Sequence, residues 1–310
     1  MESLKGKDLL TLNELSKDEI FYLLSKALEL KRLRNLREPH HFLRDHTVAL
    51  IFEKPSTRTR VSFEVGLSHL GAYPLFLEAQ TLQLSRGETL EDMGAVLSRY
   101  VDGIVIRTFA QKRVEDLAKA AQVPVINGLS DDFHPCQILG DLLTILEKKA
   151  KLDGLKLAYL GDGNNVAQTL LIGAAKVGMD VVVVTPQGYG PKEEIVELAV
   201  KERQPGTTVA VSNDPEEAER ADVLYTDVWV SMGQEKNSDT KSRFMPYQLN
   251  ERLVSLAKPD CLIMHCLPAH RGEEITNEVM DGPNSVVLDQ AENRLHVQKA
   301  LLVSVIGEKE

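Results

Sequence analysis

Short β-rich apolar runs alternate with amphipathic stretches along the whole chain, which predicts an α/β protein built on mostly parallel sheets. The clearest unit begins with an apolar run at 155–159. It continues through Gly161-Asp162-Gly163-Asn164-Asn165 into a helix ending near Val177, and a second buried strand follows at 180–184. An earlier unit has the same grammar. Residues 48–52 read as a strand, Glu53-Lys54-Pro55 as a turn, and Ser56 as the cap of a helix with Phe63, Leu67 and Leu70 on one face. Two further strands are expected at 104–107 and 125–127. A helix over 137–149 sets Leu139, Leu142, Leu143 and Leu146 on one stripe. It ends in a charged run, 147–151, which reads equally as a hinge or as a solvated helix end. Helical periodicity returns over 289–305.

The expected architecture is therefore two doubly wound parallel-sheet domains, 1–140 and 150–285, joined by helices. A final helical segment, 286–310, follows them.

Composition narrows the function classes. A chain of 310 residues, 43% hydrophobic and 26% charged, is that of a soluble globular protein with room for about two domains. Its 36 basic and 46 acidic residues leave a formal charge of −10, and aromatics are only 5%, so no nucleic-acid partner is expected. An anionic ligand must then be met by a local cluster of positive charge. Cys136, Cys261 and Cys266 have no disulfide or Cys-x-x-Cys spacing, and the amino terminus reads as neither signal peptide nor transit segment. Both point to a reducing cytoplasm. No apolar run approaches the roughly 18 residues of a membrane span.

Four stretches carry candidate chemistry. Ser56-Thr57-Arg58-Thr59-Arg60 opens a helix, where free main-chain N–H groups and the helix dipole favour a phosphate. Its hydroxyls are short donors and Arg58 is a planar fork for two oxygens. The same stretch also fits a capped helix with surface arginines. Arg107 ends an apolar strand, where open α/β sheets place ligands. His134-Pro135-Cys136-Gln137 could offer a donor to a carbonyl oxygen, or could simply be a structural turn. Asp227 through Gln234 mixes a carboxylate, a hydroxyl and a glycine in a way that suits a zwitterion, although a surface loop has the same composition. The run 262–267 reads as a buried strand ending in His265-Cys266-Leu267-Pro268. Zinc is discounted there because neighbouring strand residues should face opposite sides, and a buried structural thiol competes with a functional Cys266.

In this order the four stretches resemble the aspartate/ornithine transcarbamoylase family over nearly the whole chain. Ser56 through Arg60 with Ser62-Phe63-Glu64 looks like its carbamoyl phosphate signature, and Arg107 with His134-Pro135-Cys136-Gln137 matches its carbonyl-polarising positions. Asp227…Ser231-Met232-Gly233 and His265-Cys266-Leu267-Pro268 look like the branch that uses ornithine rather than aspartate. The resemblance implies that Ser56, Thr57, Arg58 and Thr59 hold phosphate and that Arg107 bridges phosphate and carbonyl. It implies that His134, Gln137, Arg294 and the backbone of Cys266 and Leu267 contact the carbamoyl group. Asn165, Asp227, Ser231 and Met232 would take the amino-acid end of L-ornithine. It further implies catalytic roles for Arg58, Arg107, His134 and Cys266, with no metal and no cofactor. A C-terminal helix, 286–310, that packs back on the first domain is implied too, as is a trimer or multiple of trimers, with Gln83 reaching a neighbouring subunit's site from the 81–88 loop.

Three rivals stay open at this point. Gly161-Asp162-Gly163 after a strand suggests a dinucleotide enzyme, but Val166 replaces the third fingerprint glycine and no acidic ribose ligand follows 180–184. A transcarbamoylase for aspartate, putrescine or an acylated ornithine is the second. The third is a non-catalytic homologue.

Overall fold

Among the described residues two all-parallel sheets, one of four strands and one of five, organise two compact units. The computed structural model describes residues 4–79, 82, 87–229 and 238–307. The first unit comprises Met1–Gly140 with Asn293–Glu310, and the second Asp141–Glu292.

In the first unit α1 (Lys17–Asn35) precedes β1 (Thr47–Phe52), α2 (Thr57–His69) and β2 (Tyr73–Glu78). Then come α3 (Leu90–Leu97), β3 (Gly103–Arg107), α4 (Gln111–Ala120) and β4 (Val125–Leu129), and α5 (Pro135–Lys149) begins here. The strand order is β2-β1-β3-β4. β1 and β3 are flanked on both sides, and they read as unbroken apolar runs because both of their faces are covered. Ala49, Ile51, Ile104, Ile106, Val114 and Leu117 form part of the core between this sheet and its helices.

The second unit holds β5 (Lys156–Leu160), α6 (Asn165–Val177), β6 (Asp180–Val184), α7 (Glu193–Glu202), β7 (Val209–Ser212) and β8 (Val223–Thr226). It continues with α8 (Ser238–Phe244), α9 (Glu251–Leu256), β9 (Leu262–His265), α10 (Asn277–Met280) and the start of α11 (Val287–Ile306). Its order is β7-β6-β5-β8-β9. From Asn293 onward α11 belongs to the first unit. There Lys31 Nζ donates to Asn293 Oδ1 at 2.8 Å, the buried Lys299 donates to the Leu30 carbonyl, and Gly6 N–H donates to the Val305 carbonyl. Gly103 lies against the Ile306 side chain. The last helix therefore packs on the first unit, as the family resemblance implies.

Several bounds differ from expectation in ways that affect the site. α5 starts at Pro135, a position that suits proline because its missing N–H would be unsatisfied there anyway, and this puts His134 at the helix entrance. The strand expected over 262–267 stops at His265. Beyond it Leu267 takes φ 60° and the Leu267-Pro268 bond is cis, so the chain turns instead of alternating.

Candidate active site

The first cluster is built at the carboxyl ends of β1, β3 and β4. Ser56 is the N-cap of α2: its Oγ accepts the Thr59 N–H at 3.2 Å, so one lone pair serves the helix while its hydrogen stays available. Thr57 is exposed and Arg58 half-buried in the first turn. Thr59 is fully buried, and its Oγ1 accepts from Arg294 Nη2 at 2.9 Å and from Arg107 Nη1 at 3.5 Å. Within the run Ser56 caps the helix, Thr59 accepts from two guanidiniums and Thr57 is exposed at the start of α2. Arg60, in the same run, pairs with Glu64 and lies over the Phe76 ring at 3.5 Å, as a surface arginine does.

His134 and Gln137 are buried beside this charge. Burial first, and then Arg294, Arg107 and Arg58, hold the His134 imidazole well below its ordinary titration range. It is therefore a neutral ring at physiological pH, able to donate one N–H without carrying a proton that could leave. Cys136, between them, is buried with its thiol directed to the Asn127 carbonyl, and burial pushes it up to about 12. It packs as a small apolar residue. Gly140 on α5 lies close to Arg294: a Cβ there would stand 3.1 Å from Arg294 Cγ, so the arginine would have to give by a few tenths of an ångström.

The second cluster lies at the carboxyl ends of β5, β8 and β9. Asn164 caps α6, its Oδ1 accepting the Val166 and Ala167 N–H groups, while its Nδ2 donates to Asp227 Oδ2 at 2.8 Å. Asp227 Oδ1 accepts the Val228 N–H at 2.8 Å and the Cys266 thiol at 2.9 Å. His265 Nδ1 accepts the Leu267 N–H at 2.8 Å, so its Nε2 carries the hydrogen and faces Glu274 Oε1 at 3.1 Å.

His265 and Cys266 are not held to opposite faces as strand alternation would require, because the strand has ended. Ligand-type atoms of Asp227, His265 and Cys266 lie within 4.8 Å of one another. Each takes part in a hydrogen bond within the protein. Asn165 opens α6 next to Asn164, and its carbonyl accepts the Thr169 hydroxyl. Gln83, Ser231 and Met232 lie outside the described residues.

Sequence reasoning misses Asn164, Glu274 and Asp162. Asn164 has a legible cap signal. Glu274 has none, since only the turn after β9 brings it to His265. Burial and then Asp227 raise the Asp162 carboxyl from 3.8 to about 7. A folded-state value above the unfolded one means that the linked stability is full below the unfolded value and is lost as pH rises from there through about 7. Asp162→Asn should therefore gain on the wild type in melting temperature between about pH 4 and about pH 7, and hold that gain above it. A melting difference that does not change with pH would contradict this account.

Gly163 answers the dinucleotide rival. A Cβ there would stand 2.2 Å from Pro191 N and 2.3 Å from the Gly190 carbonyl carbon, while the Gly163 N–H donates to the Tyr189 carbonyl at 2.8 Å. Main chain thus occupies the direction that a fingerprint glycine leaves for a pyrophosphate. Gly163→Ala should cost about 3 kcal/mol through forced backbone movement. A thermal melt within a degree or so of wild type would contradict that close packing.

Comparison with known proteins agrees with this layout. Residues 7–147 match the aspartate/ornithine carbamoyltransferase carbamoyl-P binding domain, and residues 153–305 match the Asp/Orn binding domain of the same family. The chain is 57% identical over 306 residues to the ornithine carbamoyltransferase of Anoxybacillus flavithermus, covering 98% of each. It is 54% identical over 308 residues to the anabolic ornithine carbamoyltransferase of Pyrococcus furiosus, covering 98% of this chain and 98% of that protein. A solved ornithine carbamoyltransferase structure from Pyrococcus furiosus superposes with a TM-score of 0.96 over 99% of both chains. With the fold, both clusters and both domain matches in agreement, the chain belongs to the aspartate/ornithine carbamoyltransferase family.

Proposed function

We infer that the protein transfers the carbamoyl group of carbamoyl phosphate to the side-chain amine of L-ornithine, giving L-citrulline and phosphate. The observation that carries this reading is the Asp227 carboxylate, held by Cys266 and Asn164 in the family's amino-acid domain. A site for aspartate would need positive charge for a second carboxylate, and this position offers negative charge instead.

The first cluster suits the phosphate donor. Arg58 and the α2 N-terminus face the phosphate, and Arg107 and Arg294, braced on Thr59, extend the positive charge toward the carbonyl. Neutral His134 donates to the carbonyl oxygen, and Gln137 holds the amide. The neutral side-chain amine of ornithine attacks the carbonyl carbon, the bond from that carbon to the phosphate oxygen breaks, and phosphate leaves with the electron pair. The attacking nitrogen then passes its extra proton to an oxygen of the departing phosphate. Charge growing on the carbonyl oxygen meets donors that are already oriented, and each is worth about 3–4 kcal/mol. The Leu267 N–H is engaged by His265, so the Cys266-Leu267 turn can offer carbonyl oxygens to the carbamoyl –NH₂. Asp227, Asn165, Ser231 and the Met232 amide are assigned to the amino-acid end.

A homotrimer in the cytoplasm completes the reading. Val61 and Val65 on α2 and Tyr73 on the edge strand β2 leave apolar surface exposed for a neighbour, and Cys136, Cys261 and Cys266 are all free thiols. No described helix is long and apolar enough to cross a membrane. The deciding experiment is a colorimetric ureido-product assay with ornithine, aspartate, putrescine and N-acetylornithine offered in parallel with carbamoyl phosphate. Product from ornithine alone is expected, and faster product from another amine would overturn the assignment.

A further inference from the structure

We propose that Gln290 is a positioning residue for the amino-acid half of this site, fixing the end of β9 from which the His265-Cys266-Leu267 turn departs. β9 is an edge strand, so its outer main-chain groups need partners other than a neighbouring strand. The segment after α10 supplies the first of them: Ile263 N–H donates to the Asn284 carbonyl at 2.9 Å, and Val286 N–H donates to the Ile263 carbonyl at 3.0 Å. Two residues on, a side chain takes over from the main chain. His265 N–H donates to Gln290 Oε1 at 2.9 Å. A single side-chain amide thus extends the ladder to the last residue before Cys266.

That amide is held in one orientation. Gln290 Nε2 donates to Asp141 Oδ1 at 2.8 Å and to the Tyr225 hydroxyl oxygen at 3.0 Å, and the Tyr225 hydroxyl donates to Asp141 Oδ2 at 2.9 Å. Gln290, Asp141, Tyr225 and His265 are all essentially inaccessible to water. A carboxylate facing the –NH₂ end leaves only the oxygen end for His265, so the amide cannot flip. In a buried network each missing partner costs more than at the surface. Tyr225 also lies on β8, one residue before Thr226 and two before Asp227, so the same network braces both strand ends that carry the Cys266–Asp227 contact. These four hydrogen bonds all lie among Asp141, Tyr225, His265 and Gln290, within the second unit, whereas the phosphate is assigned to the first cluster, so the effect on ornithine should be the larger one.

The proposal rests on the assignment of Cys266 and Asp227 to ornithine. Its test uses the full-length protein with two readouts, the KM of each substrate and the rate at which iodoacetamide alkylates Cys266, followed by peptide mass. Cys136 and Cys261 are buried, which favours a clean reading. Gln290→Met keeps the length and removes the hydrogen bonds, so it should raise the ornithine KM about tenfold, the equivalent of one lost buried hydrogen bond. It should raise the carbamoyl phosphate KM less, because that substrate meets the turn only through its carbamoyl –NH₂ while its phosphate is assigned to the first cluster, and it should change the alkylation rate severalfold. Gln290→Glu keeps an acceptor for His265 and can share a proton with Asp141, so it should restore both readouts to within about threefold of wild type.

Unchanged ornithine KM and alkylation rate in Gln290→Met, or an equal rise in both KM values, would overturn the proposal. If that variant does not fold, Tyr225→Phe decides, since it removes one hydroxyl and keeps the shape. A smaller rise in ornithine KM supports the proposal, and no rise overturns it. Cys266→Ala distinguishes failure of the proposal from failure of the assignment beneath it. An unmoved ornithine KM there removes the assignment of Cys266, while an alkylation change in Gln290→Met would still stand.

Discussion

Arg58→Gly is expected to lower turnover by about 10²–10³-fold or more while leaving a folded protein. The stability side of this prediction follows from two small opposing effects. The first turn of α2 has no acidic residue, and it places Arg58 near the positive end of the helix dipole, a conflict of about 0.3–1 kcal/mol that the substitution relieves. Glycine in a helix costs about 1 kcal/mol relative to a good helix former. The two nearly cancel, and the half-exposed side chain fills no core space. The catalytic side has nothing to offset it. Arg58 is one of three guanidiniums, with Arg107 and Arg294, whose charges act on the buried His134. A cluster of cations at a helix start is electrostatically favourable only when an anion arrives. Circular dichroism melts with steady-state citrulline formation decide the matter. Near-normal turnover would remove the phosphate assignment, and loss of the melting transition would remove the claim that the effect is local.

How much of this protein is legible in its sequence depends on the distance over which each signal acts. Strand and helix periodicity is local, so β1, α2, β5, α6 and β6 can be read within a residue or two. The N-cap at Ser56 is legible for the same reason. α1 carries an equally local signal that a motif-led reading passes over. Ser16 and Glu19 form a capping box, and Ile20, Leu23, Leu24, Ala27 and Leu30 are buried at helical spacing. Arg294 is different. It sits in mid-helix, 235 residues from the Thr59 hydroxyl it reaches, and no pattern around it announces that contact. Family resemblance alone points to it. The turn after His265 defeats strand alternation because a positive φ at a leucine has no composition signature. The Asp141–Tyr225–Gln290 network, assembled from three separate elements, is invisible for the same reason as Arg294.

Asp227→Asn should reduce kcat/KM for ornithine by about 10²–10⁴-fold, with carbamoyl phosphate binding unchanged. Two effects act together and can be ranked. The carboxylate accepts from three donors: Val228 N–H and the Cys266 thiol on Oδ1, and Asn164 Nδ2 on Oδ2. An amide has one acceptor end, so whichever way it is turned, its –NH₂ faces at least one of those donors. That mismatch is worth about 1–3 kcal/mol. Loss of the charge leaves a substrate ammonium without its partner in a largely buried position, and this costs about 3–5 kcal/mol. The missing charge is felt by bound ornithine and the mismatch by the free protein, so substrate use should fall much further than stability. An independent readout comes from Asp162, whose carboxyl is raised by burial and then by Asp227. With the Asp227 charge gone, Asp162 should titrate below its present value of about 7, observable by carbon NMR of the labelled carboxyl. An ornithine kcat/KM close to wild type would remove Asp227 from the substrate site. An unmoved Asp162 titration would show that burial alone sets it, leaving the kinetic prediction to stand or fall by itself.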